Sequence, residues 1–279
     1  MKYKMALCQI KGSFQKEKSI GKAQAFIKEA SEKAEVVALP EMWNCPYGNK
    51  YFKEYAEEEN GRTVLFMSKA AAQNDIYLIG GTIPEMEEGK IYNTSFCFDT
   101  RGNLIAKHRK IHLFDVDIED GIRFMESETL SAGDSVTVME TEYGGIGIAV
   151  CYDVRFPEWS RAAALEGATL LIIPGAFNMT SGPAFWELMM RTRAIDNQVY
   201  VAAASPARNL SSSYHAWGHS MIVNPWGGIM AEAGSGEEII VATSYSYTEL
   251  TVPEALAPPK TSTVFAGLKT ALCSVINKG

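Results

Sequence analysis

Two apolar segments, VVALPEMWN (residues 36–44) and TLLIIPGAFN (residues 169–178), match in type although they share few residues. Each is a run of apolar residues that stops at a proline and continues into an aromatic residue and an asparagine. Such a run is typical of a buried strand, because proline cannot continue a central strand. The two segments therefore mark corresponding strands in two halves of the chain.

The segments around these two strands recur in the same order. In each half an earlier strand and a helix precede the apolar run, and a second helix then leads into a third strand (IYLIGGTIP or VYVAAASPA) and a hairpin. The helices are predicted over residues 17–34, 62–74, 157–166 and 184–197. The hairpins are predicted to turn at residues 101–102 and 225–227.

Two halves of this kind predict an α/β fold with four layers. Each half is a sheet with helices on one face, and the two open sheet faces can be buried against each other, which gives a pseudo-symmetric helix–sheet–sheet–helix sandwich. A single doubly wound sheet also fits the alternation of strands and helices, but the hairpins disfavour it because they require antiparallel pairs. Ligands in open α/β sheets bind beyond the strand ends, so Glu41 and Cys151, which both follow apolar strands, are expected to converge.

Composition narrows the class of protein. The chain has 279 residues, is 47% hydrophobic and carries a formal charge of −7, which suits one large domain or at most two. The sequence contains no block of basic residues that would indicate a nucleic acid or an anionic membrane as partner. Five cysteines without CxxC spacing favour reduced thiols over disulfides or a zinc knuckle. Without a signal-peptide pattern or a spanning apolar run, we expect a soluble cytoplasmic protein.

The stretch GIGIAVCYDVRFPE (residues 145–158) places one cysteine, Cys151, where an apolar strand meets a polar turn. Pro157 suits the first turn of the helix that follows. A strand, a sharp turn and a helix can hold a nucleophile near backbone N–H groups that receive an oxyanion. Free cysteine is also common in protein cores, so the position alone leaves a packing role open.

Amide cleavage by a thiol needs a base for the thiol proton, a donor for the oxyanion and an acid for the leaving nitrogen. None of the four histidines lies in a protease-like context. A buried carboxylate can replace histidine, and Glu41, beside Trp43, is the best candidate. Lys110 can supply a positive charge beside the thiolate and the oxyanion. Taken singly, Glu41 also fits a surface turn, and Lys110 fits a solvated cationic edge.

Taken together, Glu41 in LPE, Lys110 in RKIHLFD and Cys151 in CYDVRFPE resemble the Glu–Lys–Cys triad of the nitrilase superfamily of carbon–nitrogen hydrolases. The resemblance extends over residues 4–238 and includes FNMTSGPAFWELMMRTRAIDNQVYVAAASP and WGHSMIVNPWGG. Within the superfamily, PYGNKYF, KIHLFDVDI and GAFNMTSGPAFWEL are most similar to the omega-amidases. The resemblance implies hydrolysis of a small omega-amide, such as alpha-ketoglutaramate or alpha-ketosuccinamate, to the 2-oxo dicarboxylate and ammonia through a cysteine thioester.

The resemblance also implies the roles of individual residues. Cys151 is the nucleophile, Glu41 the general base and then acid, and Lys110 the support for the oxyanion, with the backbone N–H of Tyr152 as a second donor. Glu126 in FMESETL stands where the family often has a carboxylate that orients the amide nitrogen. A lone carboxylate is a weak signal, and an exposed loop glutamate is the alternative interpretation.

Arg155, four residues after Cys151, is the candidate for substrate selection. Its guanidinium can form a bidentate pair with a carboxylate at the far end of a short substrate, whereas a surface salt bridge is the alternative. The resemblance favours the first interpretation and implies that Tyr47, Phe177 and Ser181 line the same pocket. Ser181 replaces a threonine that is frequent in the family, and it keeps the hydroxyl.

Several alternatives stay open at the level of sequence. HRKIH spaces His108 and His112 as in zinc sites, but Arg109 stands where an HExxH site has its glutamate, so a metallohydrolase is disfavoured. A non-catalytic scaffold would be expected to lack a triad member. The main competitors are sibling amidases that act on N-carbamoyl amino acids or deaminated glutathione, and nitrilases. The resemblance implies no metal or cofactor, and a homodimer or higher homo-oligomer.

The end of the chain departs from the family. We predict a carbon–nitrogen hydrolase domain over residues 1–243 and an atypical tail over residues 244–279, in a part of the chain that the family often uses at its dimer contact. Relatives usually continue with an acidic strand and an arginine-rich tail, whereas this segment is poor in charge and contains APP. Cys273 lies in this tail and is predicted to have no function.

Overall fold

The computed structural model describes residues 1–117, 119 and 123–245. The helices are α1 (Lys16–Ser31), α2 (Asn49–Tyr55), α3 (Arg62–Asn74), α4 (Pro157–Leu165) and α5 (Ser181–Asn197). The strands of the first half are β1 (Lys2–Gln9), β2 (Val36–Ala38), β3 (Tyr77–Ile79), β4 (Ile83–Glu87), β5 (Lys90–Phe98), β6 (Leu104–Arg109), β7 (Asp115–Asp117) and β8 (Arg123–Met125). Those of the second half are β9 (Thr137–Thr141), β10 (Gly144–Ile148), β11 (Ala168–Pro174), β12 (Tyr200–Ala204), β13 (Met221–Val223), β14 (Ile229–Glu232) and β15 (Glu238–Tyr245).

The two large sheets repeat one topology, as the sequence predicted. The first sheet has the order β15-β1-β2-β3-β5-β4, with β6 also paired to β5, and the second has the order β14-β13-β12-β11-β10-β9. In the first sheet β1, β2 and β3 are parallel, and in the second β10, β11 and β12 are parallel. Each parallel group continues into antiparallel partners, β5 and β6 in one half and β13 and β14 in the other.

Three apolar cores separate the four layers, which confirms the predicted sandwich. Strand β1 shows why, because its side chains alternate between two cores with the period of two that a strand imposes. Ala6 and Cys8 pack with α1 and α3, whereas Met5 and Leu7 pack against the second sheet. The third core lies between the second sheet and helices α4 and α5. A sheet covered on both faces explains the unbroken apolar runs in the sequence.

Strand β15 ties the end of the described chain to its beginning. It pairs antiparallel with the whole of β1, from Gln9 opposite Glu238 to Lys2 opposite Tyr245. Only residues 244 and 245 of the predicted tail are among the described residues. The rest of the tail, including Cys273, lies outside them. The division of the chain at residue 243 stays a prediction.

The four cysteines in the described part of the chain, Cys8, Cys45, Cys97 and Cys151, are all free and buried. No helix among the described residues has the length and apolar character needed to cross a membrane.

Local hydrogen bonding sets where one predicted helix begins. Helix α5 starts at Ser181, three residues before the predicted position. The side-chain oxygen of Asn178 accepts the N–H groups of Thr180 and Ser181 at 2.9 and 2.8 Å. This side chain satisfies backbone donors that the first turn of a helix leaves unpaired, so the helix can begin earlier.

Candidate active site

The three predicted triad residues lie together where strands of both sheets end. Glu41 follows β2 and Lys110 follows β6 in the first half, whereas Cys151 follows β10 in the second. The site therefore lies between the two halves. The stacked arrangement of the sheets brings these residues together, although Lys110 is 69 positions after Glu41 and 41 positions before Cys151 in the chain.

Cys151 is held in an uncommon backbone conformation. It opens the 3₁₀ helix Cys151–Arg155 directly after the apolar strand and has a φ of 48°, in the left-handed region. A non-glycine residue there costs on the order of 1–3 kcal/mol, which the surrounding structure must offset. A strained turn at a strand end is a conformation that can present a nucleophile.

The turn that carries Glu41 depends on a close backbone approach from the neighbouring strand. Gly81, after β3, has a φ of 60°, and a Cβ there would lie 2.1 Å from the carbonyl oxygen of Pro40. The next residue, Thr82, donates its N–H to that carbonyl at 3.1 Å and accepts the N–H of Met42 at 3.0 Å. These contacts hold the peptides on both sides of Glu41 and direct its carboxylate inward.

Lys110 lies between two buried carboxylates. Its Nζ is 3.2 Å from Oε1 of Glu41 and 2.8 Å from Oε2 of Glu126, and all three side chains are fully buried. Burial alone would lower the pKa of Lys110, but the negative charges of Glu126 and Glu41 raise it well above its usual value. Lys110 is therefore an ammonium at neutral pH, buried inside the protein.

Each carboxylate is also fixed by other donors. Glu41 Oε1 accepts from the side-chain amide of Asn93 at 2.8 Å, and Oε2 accepts the N–H of Ala176 from the second half at 2.7 Å. Glu126 accepts the hydroxyl of Tyr47 at 2.6 Å and the N–H of Phe114 at 2.7 Å. Neither glutamate is the exposed residue that the alternative interpretation would require.

Burial and the neighbouring charges act on Glu126 and on the Cys151 thiol. Burial raises the pKa of Glu126, and Lys110 opposes that shift. Burial also raises the pKa of Cys151 well above its usual value, and the charge of the hydrogen-bonded Glu41 adds to this effect while Lys110 opposes it. The resting thiol is therefore protonated and contacts Glu41, which is placed to take its proton.

A pocket opens in front of Cys151, and its lining contains every predicted substrate-binding residue. The lining residues are Tyr47, Phe114, Cys151, Tyr152, Arg155, Ala176, Phe177, Ser181 and Tyr214. Arg155 is exposed at this pocket, and its guanidinium lies 4.5 Å from the ring centroid of Phe185. The pocket thus has a thiol and a cation among its lining residues, with aromatic rings between them.

The sequence did not identify several residues of the site, among them Asn93, Phe114 and Tyr214. Asn93 contacts Glu41, Phe114 lines the pocket, and Tyr214 stacks on Tyr47 with ring centroids 4.4 Å apart. Asn93 is a buried residue of β5, and Tyr214 lies in a loop between β12 and β13. Neither follows an apolar strand end, which was the signal that identified Glu41 and Cys151.

The two histidines with zinc-like spacing contact a carboxylate instead. His108 and His112 both lie against the buried side chain of Asp153. Across the described ranges, no group of three or more His, Cys, Asp or Glu side chains is arranged to hold a metal ion.

The fold and the buried triad define a class of enzyme. Residues 4–250 match the carbon–nitrogen hydrolase family, so the chain belongs to this family and is an amidase. It is similar to Omega-amidase NIT2 of Xenopus tropicalis, with 54% identity over 242 residues that cover 86% of this chain and 88% of the relative. Human Omega-amidase NIT2 is 52% identical over 239 residues, covering 85% of this chain and 87% of the relative.

The solved structures agree with this membership. The crystal structure of Saccharomyces cerevisiae Nit3, a member of branch 10 of the nitrilase superfamily, aligns with a TM-score of 0.82 and 45% identity. The alignment covers 94% of this chain and 96% of that one. The four-layer fold predicted from the internal repeat is therefore confirmed.

Proposed function

We propose that this enzyme is an omega-amidase, which hydrolyses the terminal amide of a small dicarboxylic acid monoamide such as alpha-ketoglutaramate or alpha-ketosuccinamate. The observation that carries the proposal is the presence of Arg155 and Cys151 in one pocket. A substrate with an amide at one end and a carboxylate at the other matches a pocket with a thiol and a guanidinium. The similarity to Omega-amidase NIT2 supports the same substrate class.

The first half of the proposed reaction is attack by Cys151. Glu41 takes the thiol proton as the sulfur adds to the amide carbon, which converts the carbonyl oxygen to an oxyanion. The ammonium of Lys110 and the backbone N–H of Tyr152 stabilise that oxyanion. Glu41 then gives its proton to the leaving nitrogen, the carbon–nitrogen bond breaks, and ammonia and a thioester remain.

The second half of the reaction uses the same base on water. Glu41 removes a proton from water as the oxygen adds to the thioester carbonyl. The carbon–sulfur bond then breaks and the proton returns to Cys151, which releases the carboxylic acid. Glu126 is proposed to accept a hydrogen bond from the amide nitrogen, because its carboxylate contacts Lys110 and belongs to the same buried cluster.

The pocket residues are proposed to set the length and charge of the substrate. Tyr47 and Phe177 are mostly buried and provide apolar walls, and Ser181 at the start of α5 provides a hydroxyl. Arg155 provides two parallel N–H donors in a plane, which match a carboxylate better than the point charge of a lysine.

The test of the proposed function is a substrate panel scored by ammonia release. We expect the highest kcat/KM for alpha-ketoglutaramate or alpha-ketosuccinamate among a set that also contains glutamine, asparagine, an N-carbamoyl amino acid, deaminated glutathione and a simple nitrile. A higher kcat/KM for one of the last three would instead assign a sibling amidase or a nitrilase. The purified protein is assayed with and without a chelator, and retention of activity with the chelator agrees with metal-independent chemistry.

A second prediction isolates Arg155. The substrate is compared with an analogue whose distal carboxylate is replaced by methyl. Loss of a hydrogen-bonded charge pair costs about 1.5–3 kcal/mol, so Arg155→Met should lower kcat/KM for the carboxylate substrate by roughly ten- to a hundredfold. The methyl analogue should be hydrolysed equally by both proteins, and Arg155→Lys should restore little activity.

The matched control for this prediction is Arg161→Met. Arg161 lies on α4 outside the pocket and donates to the backbone carbonyl of Asp196. This variant should keep the native preference for the carboxylate substrate. If Arg155→Met also keeps that preference, Arg155 has a structural role and the omega-amidase proposal loses its main support.

Assembly and location are proposed on similarity to the family. We expect a homodimer or a higher homo-oligomer, and the exposed side chains of Leu188 and Ile195 on α5 give that helix an apolar outer surface. Buried free cysteines suit a reducing compartment, which supports a cytoplasmic location.

A further inference from the structure

The buried carboxylate of Asp153 connects the two segments that carry Lys110 and Cys151. Oδ1 accepts the backbone N–H groups of Ile111 at 3.2 Å and His112 at 2.8 Å, and it lies 2.9 Å from Nδ1 of His112. Oδ2 accepts the backbone N–H of Val150 at 2.9 Å.

These contacts fall immediately beside the reacting residues. Ile111 follows Lys110 directly, and Val150 precedes Cys151 directly. One planar carboxylate therefore accepts donors from both backbones, so it fixes the distance between them. The bond to Val150 also closes the turn that holds Cys151 at its positive φ. These two residues belong to different halves of the molecule, so a side chain that is hydrogen-bonded to both backbones bears directly on their relative position.

The charge of Asp153 is satisfied entirely within this arrangement. Nε2 of His108 lies 3.4 Å from Oδ2, so histidines on both sides of Lys110 contact the same carboxylate. Burial alone would raise the pKa of Asp153, but the hydrogen bonds from His108 and His112 hold it well below its usual value. Asp153 is fully buried and is not among the residues that line the pocket in front of Cys151.

We propose that Asp153 is a positioning residue. It holds the Lys110 ammonium and the Cys151 thiol at the relative position that the reaction requires, through hydrogen bonds to the backbone next to each of them. The inference rests on the proposed function for its activity measurement. Its second measurement, alkylation of Cys151 by iodoacetamide, is independent of the substrate. The two ideas can therefore fail separately, because a protein without omega-amidase activity still reports the reactivity of its thiol.

The main variant is Asp153→Asn, which keeps the shape of the side chain and directs an NH₂ group at backbone donors. Either Ile111 and His112 or Val150 must lose an acceptor, and the carboxylate charge is lost as well. Loss of one hydrogen bond to a charged group is equivalent to a change in rate of roughly ten- to a hundredfold. We therefore expect kcat to fall by this factor. KM should change less than about threefold, because the pocket residues are untouched. Alkylation of Cys151, followed on its peptide by mass spectrometry, should slow in parallel with kcat.

The matched control is Glu57→Gln. Glu57 is also a largely buried carboxylate that accepts a backbone N–H, from Thr63 at 2.8 Å, and pairs with a basic side chain, Lys16 at 2.7 Å. Glu57 lies outside the site. Its replacement by glutamine should therefore lower the melting temperature without changing kcat or the alkylation rate of Cys151. Both variants are assayed at the same interval below their own melting temperatures, which separates a positioning effect from a loss of stability.

A second pair of variants keeps the proposal testable if Asp153→Asn does not fold. His112→Leu removes the Nδ1 donor to Asp153, whereas the amide of His112→Asn can place Nδ2 at the same position. We expect His112→Leu to lower kcat and the alkylation rate, and His112→Asn to restore most of both. Normal kcat and alkylation in Asp153→Asn, an effect on KM alone, or equal loss in the two His112 variants would overturn the proposal.

Discussion

Replacing Cys151 with alanine should abolish ammonia release from every amide in the panel while the protein stays folded. The Cys151 thiol lines the pocket in front of it and contacts the Glu41 carboxylate, and a cysteine thiolate is intrinsically a strong nucleophile. Without a sulfur no thioester can form, and direct attack by water lacks the covalent step that divides the reaction into two easier parts. Activity should fall below detection, as measured by ammonia release over hours at high enzyme concentration.

The stability of the Cys151→Ala variant should change little. Alanine keeps the Cβ, so the strain at a φ of 48° is the same in both proteins. Cys151 also lines a pocket, so loss of its sulfur enlarges that pocket instead of leaving a sealed cavity in the core. The melting temperature should therefore stay close to that of the native protein, which distinguishes loss of chemistry from loss of fold.

The matched control is Cys97→Ala, at another buried free cysteine. Cys97 lies in the core between the two sheets, away from the pocket. Its loss should leave kcat unchanged and should lower the stability by about the energy of a small core truncation, roughly 1 kcal/mol. Measurable turnover by Cys151→Ala that a thiol-directed reagent does not abolish would show that the nucleophile is assigned wrongly.

The fold was accessible from the sequence because its main signals are local. A run such as TLLIIPGAFN predicts a buried strand by itself, and the repeat of that run about 130 residues away predicts a second sheet. The small hairpin β7–β8 and helix α2 were not predicted. Both are short elements whose sequences lack the apolar periodicity that identifies longer ones.

The site was only partly accessible, because several of its contacts join distant parts of the chain. Glu41 and Cys151 were identified by their position at strand ends, and Lys110 by its place in the family motif. Asn93 could not be identified in this way, since its contact with Glu41 depends on the alignment of β5 beside β3. The role inferred for Asp153 depends on the approach of the two halves, which no sequence pattern specifies.

The second large effect is expected for Glu41→Gln, which keeps the shape of the side chain but removes the base. Acid–base catalysis by a positioned side chain contributes about 10²–10⁴ in rate, and kcat/KM should fall by at least this factor. Glu41 is proposed to act in both halves of the reaction, so no step can proceed normally in the variant. The raised pKa of the buried thiol strengthens the expectation, because Cys151 cannot ionise unaided near neutral pH.

A structural effect is expected from the same change and must be measured separately. Oε1 of Glu41 accepts from Lys110 and Asn93, and Oε2 accepts the N–H of Ala176. A glutamine amide must turn its NH₂ group toward one of these donors, which leaves a buried group unsatisfied at a cost of about 1–3 kcal/mol. The melting temperature should therefore fall, and activities should be compared at temperatures where both proteins are fully folded.

The control for this variant is Glu85→Gln, at a buried carboxylate that lies outside the pocket. Glu85 accepts from Thr94 and pairs with Lys107 and Arg109, so its loss also leaves buried donors unsatisfied. It should show a comparable fall in melting temperature with kcat/KM close to native, since no group near the thiol changes. If Glu41→Gln instead keeps kcat/KM within tenfold of the native value, Glu41 is not the base. The remaining carboxylate of the cluster, Glu126, would then have to receive the thiol proton across the ammonium of Lys110.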